Sequence, residues 1–152
     1  MNVRELMTHQ VTTCGPDTDA ESAALLMWNS DCGAVPVVDS GGKALGMVTD
    51  RDICMAVALQ HKAASEIRVK DCMSGTLFCC QPGHDIKKAM KTMASRKIKR
   101  LPITNGAGQV EGILSIDDIV ACAERGARGI STPKLSFDDT MATLKAVCNY
   151  HH

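Results

Sequence analysis

Apolar positions along the chain change period in a fixed order, and the order occurs twice. A short helical turn ("VRELM") leads into a β-prone stretch, "QVTTC"; Pro16 follows, and Asp17-Thr18-Asp19 gives an N-cap signal ahead of "AESAALLMWNS". Helical spacing puts Ala23, Leu26, Met27 and Ser30 on one face of that segment, the face expected to pack on a sheet. The β-branched run "AVPVVD", a turn at Ser40-Gly41-Gly42 and the hairpin partner "ALGMVT" come next, and a second helix opens at Asp50 to Asp52. The later passage repeats each step: "VKDCM", "TLFCC", Pro82, an N-cap at His84-Asp85, then "IKKAMKTMASRK" with Ala89, Met90 and Met93 on one face. "RLPITN", a turn at Asn105 to Gly108, "VEGILS" and a helix opening at Ile116 to Asp118 complete it. The predicted order in each passage is strand, helix, strand, strand, helix. A proline inside "AVPVVD" and "RLPITN" predicts an edge strand or a bulge.

Sliding the chain against itself by 66 residues aligns 3–58 with 69–124 without a gap, and 12 of the 56 pairs are identical. Val3/Val69, Met7/Met73, Pro16/Pro82, Asp19/Asp85, Pro36/Pro102, Gly46/Gly112 and Asp52/Asp118 are among them. One register held through alternating strands and helices marks a tandem duplication. Residues 59–68 link the copies, and the tail 125–152 has no counterpart. From Ser136 that tail carries an N-cap signal and then Met141, Leu144 and Val147 at helical spacing, which predicts a C-terminal helix packed on the module or on another subunit.

Composition narrows the function classes. Two copies of about 56 residues are each marginal alone, so burial between them is expected. Charge is balanced at 17 basic and 17 acidic residues, which argues against nucleic acid as a partner. No run approaches the roughly 20 apolar residues of a membrane span, so the expectation is a soluble, cytoplasmic protein. Eight cysteines raise disulfides or a metal, yet there is no C-x-x-C, and Cys14, Cys54 and Cys122 fall where the repeat asks for an apolar side chain. Cys79 and Cys80 with His84, or Cys148 with His151 and His152, are the metal-ligand candidates. No Ser-His-Asp order, metal-ligand helix or G-x-x-x-x-G-K-S/T loop occurs, which argues against an enzyme.

With "P-D-T" after the first strand, "AVPVVD" running on to "GMVTDRDI" in one copy and "RLPIT" on to "GILSIDDI" in the other, residues 3–124 resemble the cystathionine β-synthase (CBS) domain pair, or Bateman module. The resemblance implies an α+β, sandwich-like fold: two β-α-β-β-α motifs packed by their sheets around a pseudo-twofold axis, with a C-terminal helix added here. It also implies two clefts that bind adenosine-containing ligands such as AMP, ADP, ATP or S-adenosylmethionine in a sensing role, with no cofactor required.

The residues at the strand-to-helix junctions suit that chemistry. In "TDRD" and "SIDD" a hydroxyl precedes an aspartate by three residues, placing both on the first helical turn. A carboxylate accepts two hydrogen bonds and matches the vicinal hydroxyls of a ribose, which assigns Asp52 and Asp118 to that role. Thr49 and Ser115, with the helix N-termini, would meet phosphate, and Arg51, Lys99 and Arg100 would supply positive charge. The plainer alternative is that each aspartate only caps its helix, at about 1 kcal/mol. By family habit the adenine meets Thr13, Cys32, Gly33 and Ala34 in one cleft and Cys79, Ile98, Lys99 and Arg100 in the other, each cleft mixing the copies. Cys79 in place of threonine, and Ile116-Asp117 in place of Asp50-Arg51, make the clefts unequal. The expected role is a regulatory module, homodimeric, signalling to an effector protein; the alternatives are a ligand-free dimerisation module and a cysteine-based redox or metal sensor.

Overall fold

The structure is a computed structural model, described here for residues 1–125 and 134–149. In chain order its elements are α1 (Ala20–Asn29), β1 (Ala34–Val38), β2 (Ala44–Thr49), α2 (Asp50–Gln60), α3 (Ile86–Arg96), β3 (Arg100–Thr104), β4 (Val110–Ser115), α4 (Ile116–Cys122) and α5 (Phe137–Cys148). Single 3-10 turns at Val3–Glu5 and Val69–Asp71 take the places expected of "VRELM" and "VKDCM". No helix among the described residues is long and apolar enough to cross a membrane.

The β-prone stretches "QVTTC" and "TLFCC" form one bridge each rather than a strand. Cys14 donates to the Pro36 carbonyl (3.1 Å) and accepts from Val38 (2.8 Å); Cys80 does the same with Pro102 (3.2 Å) and Thr104 (2.9 Å). In a parallel ladder the next donors would be the amides of residues 36 and 16, or 102 and 82, and all four are prolines without an N–H. The prolines therefore do not mark edge strands here. Pro36 lies in β1, which has β2 on one side and Cys14 on the other, and a bulge follows it between Val37 and Val38. That inner position explains why Ala34 to Val37 and Leu101 to Thr104 are buried without alternation.

The chain divides into two compact units that do not coincide with the two copies. One comprises Gln10–Leu77 and Gly106–Val110; the other comprises Met1–His9, Phe78–Asn105 and the described residues from Glu111 onward. The N-terminal segment of each copy is thus seated on the opposite copy. In the first unit Ala20 donates to Ile67 (2.8 Å), Val69 to Thr18 (2.8 Å) and Lys70 to Pro16 (2.9 Å). In the second, Ile86 donates to Met1 (3.0 Å), Val3 to His84 (2.9 Å) and Arg4 to Pro82 (3.0 Å), the same three bonds 66 residues along. Each segment then bridges the outer hairpin strand, Ser74 to Met47 in the first unit and Thr8 to Ile113 in the second.

Val69 and Ile67 complete a core of Val35, Val37, Val48 and Ile53 in the first unit. Val3 and Met7 complete one of Leu101, Ile103, Leu114 and Ile119 in the second. Helix α5, capped by Ser136, packs in the second unit against α3 and α4. Its buried residues are Thr140, Thr143 and Val147, while Met141, expected on the packed face, is outward. The hydroxyl of Thr140 is buried there without a hydrogen bond.

Of the three cysteines expected to fill apolar positions, only Cys14 is buried; Cys54 and Cys122 are exposed, because α2 and α4 turn those positions to solvent. Burial pushes the Cys14 thiol up to about 11, with Cys72 adding to the shift, and burial raises Cys80 as well. His84, Cys79 and Cys80 do not form a metal cluster among the described residues: His84 Nδ1 accepts from Gln81 (3.2 Å) and Cys80 lies in the core. His151 and His152 lie outside the described residues.

Two outcomes follow from this packing. A methyl group at Gly46 would collide with the Ser74 carbonyl, and one at Gly112 would sit 2.9 Å from both Met7 Sδ and Thr8 O. Gly46→Ala and Gly112→Ala are expected to lower stability by about 1–3 kcal/mol, Gly46→Ala more, read as a fall in the urea midpoint at constant m. Gly106→Ala, with open space around it, should change little. Alkylation at pH 8 followed by mass spectrometry should label exposed Cys54, Cys79, Cys122 and Cys148 in the native protein and spare Cys14 and Cys80 until denaturant is added.

Candidate functional site

The candidate residues collect at one end of each hairpin because both preceding helices stop in the same way. Asp31 (φ 49°) and Lys97 (φ 53°), 66 residues apart, adopt the left-handed conformation just beyond α1 and α3. The following amides close the turn by bonding back to the helix, Cys32 to Met27 (3.0 Å) and Ile98 to Met93 (3.1 Å). The chain then enters β1 or β3 at once, so that Gly33 accepts from the Asp50 amide (3.1 Å) and Lys99 from the Ile116 amide (2.8 Å). Ala34 pairs with Thr49 across the first hairpin. Cys32, Gly33, Ala34, Thr49, Arg51 and Asp52 therefore share one strand-to-helix junction, and Ile98, Lys99, Arg100, Ser115 and Asp118 share the other. Thr13 and Cys79 stand beside β1 and β3, each next to its bridging cysteine; Thr13 also lines a depression of about 490 Å³ with Gly15, Thr18, Leu26 and Asp39.

Both aspartates cap their helices. Thr49 Oγ1 accepts from the Asp52 amide (3.0 Å), and Asp52 Oδ2 accepts from the Thr49 amide (2.9 Å). Ser115 Oγ accepts from the Asp118 amide (3.1 Å), and Asp118 Oδ2 accepts from the Ser115 amide (2.7 Å). Each reciprocal box satisfies two amides that a helix start would leave unpaired. Capping engages one carboxylate oxygen only, and Oδ1 of Asp52 and of Asp118 carries no hydrogen bond among the described residues. At half-buried positions, these are two acceptors held in fixed direction.

The junctions differ in ways the motifs conceal. The Ser115 hydroxyl also donates to Asp118 Oδ2 (2.7 Å), whereas the Thr49 hydroxyl has no such acceptor among the described residues. Asp50 folds its carboxylate over Gly33, where an added Cβ would lie 3.1 Å from Oδ2, and its Oδ1 accepts from the Arg51 amide (2.7 Å). The matching residue Ile116 is instead buried in the core of its unit. Cys72 was not singled out from the sequence; burial first, then the nearby Asp52 carboxylate, raises its thiol. It reaches Asp52 because the 69–73 segment is seated on the first copy, and the matched pairs Val3/Val69 and Met7/Met73 are the sequence signs that such segments pack.

Comparison with known proteins agrees with this architecture. The CBS domain model matches residues 3–59 and 69–124. A CBS domain-containing protein of Bacillus subtilis, YhcV, is 36% identical over 118 residues, covering 78% of this chain and 82% of its own. The crystal structure of a CBS-domain-containing protein from Agrobacterium tumefaciens, ATU1752, superposes with a TM-score of 0.71 at 31% identity, over 80% of this chain and 98% of that one. The CBS domain pair of protein MJ0100, solved with 5′-methylthioadenosine and S-adenosyl-L-methionine, shares the fold at a TM-score of 0.73 and 21% identity, over 80% and 94%. Two matched copies, a relative aligned over most of both chains and a common fold place this chain in the CBS domain family.

Proposed function

We propose that this chain is a non-catalytic regulatory module that binds an adenosine-containing ligand, through Asp52 and Asp118 at the ribose, and passes its occupancy to an effector protein as a homodimer. The observation that carries the reading is the pair of half-engaged carboxylates: each Asp spends Oδ2 on its helix cap and keeps Oδ1 aimed by that cap. A ribose diol presents two donors, and an acceptor already fixed in direction binds it without first losing rotamer freedom. The adenosyl ligands of MJ0100 supply the ligand class. Thr49 with Arg51 at one junction, and Arg100 at the other, are the groups for a phosphate or for a charged 5′ substituent. Adenine would run along Thr13, Cys32, Gly33 and Ala34, or along Cys79, Ile98, Lys99 and Arg100, where backbone rather than side chains offers the edge contacts. The two sites are expected to differ in affinity, the one using Thr49 and Asp52 being the stronger, since the Ser115 proton is already engaged.

Thermal shift with AMP, ATP and S-adenosylmethionine tests this reading. At a hundredfold excess over Kd a ligand adds about 2.7 kcal/mol, or roughly 5–11 °C in Tm for a chain of this size. No shift with any of the three at millimolar concentration leaves the ligand-free dimerisation module as the better reading.

Asp52→Asn keeps an acceptor for the Thr49 amide and loses the charge that the diol meets. Its affinity is expected to fall about 10–100-fold by calorimetry, in line with the value of a charged hydrogen bond. Thr49→Val should weaken a phosphate-bearing ligand more than Ser115→Ala does. Equal losses would show that the hydroxyls act only as caps.

A further inference from the structure

Helix α5 has two faces of different character. Its inner face, through Asp139, Thr140, Thr143 and Val147, packs in the second unit, with Asp139 3.8 Å from Lys87 of α3. Its outer face carries Phe137, Met141 and Lys145 at intervals of four, one stripe along the helix. Phe137 is 42% and Met141 50% exposed, and the Arg125 guanidinium stacks over the Phe137 ring at 5.5 Å. Lys145 is exposed and makes no ion pair among the described residues.

Helix α1 in the first unit is the counterpart of α3, and the 66-residue offset pairs its Glu21, Leu25 and Trp28 with Lys87, Lys91 and Ala94. On α3 those positions line the groove against α5. On α1 two of those three positions hold apolar residues that stay open among the described residues: Leu25 is 54% and Trp28 83% exposed. A tryptophan left so open on a helix of a folded protein is an unfinished contact. Helix α1 has one charge, Glu21, and no basic residue.

We propose that α1 of one copy of this chain is covered by the outer face of α5 from a second copy. Laid antiparallel, the two stripes match position by position: Glu21 meets Lys145, Leu25 meets Met141 and Trp28 meets Phe137. The reverse direction sets Glu21 beside Phe137 and leaves Lys145 against Trp28, and α1 against α1, in either direction, leaves Glu21 with no cation to pair with. Charge thus selects both the partner helix and its direction. The contact deepens the homodimer part of the functional reading and is independent of nucleotide binding.

Trp28 is the only tryptophan, so its emission reports this one surface. In the full chain, emission should shift to the blue with rising concentration in step with the mass from light scattering, and Met141→Asp should abolish both changes without altering helicity by circular dichroism. Glu21→Lys is expected to weaken association roughly tenfold by setting like charges opposite each other, and Glu21→Lys with Lys145→Glu to restore it. Association with Trp28 still emitting as if in water overturns the proposal, as does association that survives Met141→Asp; both leave a homodimer through another face. A monomer at about 100 μM, well above the range of specific association, overturns this contact and the homodimer together.

Discussion

Neither copy of the duplication can finish its own core. The first needs Ile67, from the linker, and Val69, which opens the second; the second needs Val3 and Met7, from the opening segment of the first. The exchange is held by the same three backbone bonds on each side and requires a glycine wherever the incoming segment crosses the outer hairpin strand. Gly46 and Gly112 are identical in the repeat for that reason: another backbone passes over them too closely for a side chain. Packing of this kind places Ile67 and Val69 in the first unit's interior.

The hairpin turns obey the same offset. Ala44 donates to Gly108 and Val110 to Gly42, each at 3.0 Å, so that Lys43 stands opposite Gln109 in a small antiparallel pair. Gly42 and Gly108 both take φ near 80°, where a side chain would be strained. The positions kept identical across the two copies include these turn and crossing glycines, the core residues Val3, Met27 and Ile53 with their matches, and the capping aspartates Asp19 and Asp52 with theirs. The surfaces were free to diverge, and they did: the segment 86–100 carries seven basic residues and no acidic one, while its counterpart 20–34 carries Glu21 and Asp31 and no basic one.

Much of this was legible in the residues. The duplication, the element order, the two N-caps and the C-terminal helix all follow from periodicity and capping residues, because those signals are local. What was missed depended on partners distant in sequence. "QVTTC" has the composition of a strand, but the number of bonds it makes is set by prolines 16 and 36, one on each side of the ladder. Met141 sits at helical spacing with Leu144 and Val147, yet spacing alone does not say which arc of a helix faces inward, and threonines took that arc. At the junctions the motif located Thr49, Asp52, Ser115 and Asp118, but only coordinates reveal that each aspartate serves as a cap through one oxygen and that Ser115 differs from Thr49 in where its proton goes.

The exchange also gives the two segments different histories during synthesis. Residues 69–73 emerge after the copy they complete has been made, so they can dock as soon as they clear the ribosome. Residues 1–9 emerge before the copy they complete and must wait for β4, more than a hundred residues later, before Thr8 finds Ile113. Throughout that interval Val3 and Met7 have no core to enter, and the second copy, when it forms, closes over a segment made long before it.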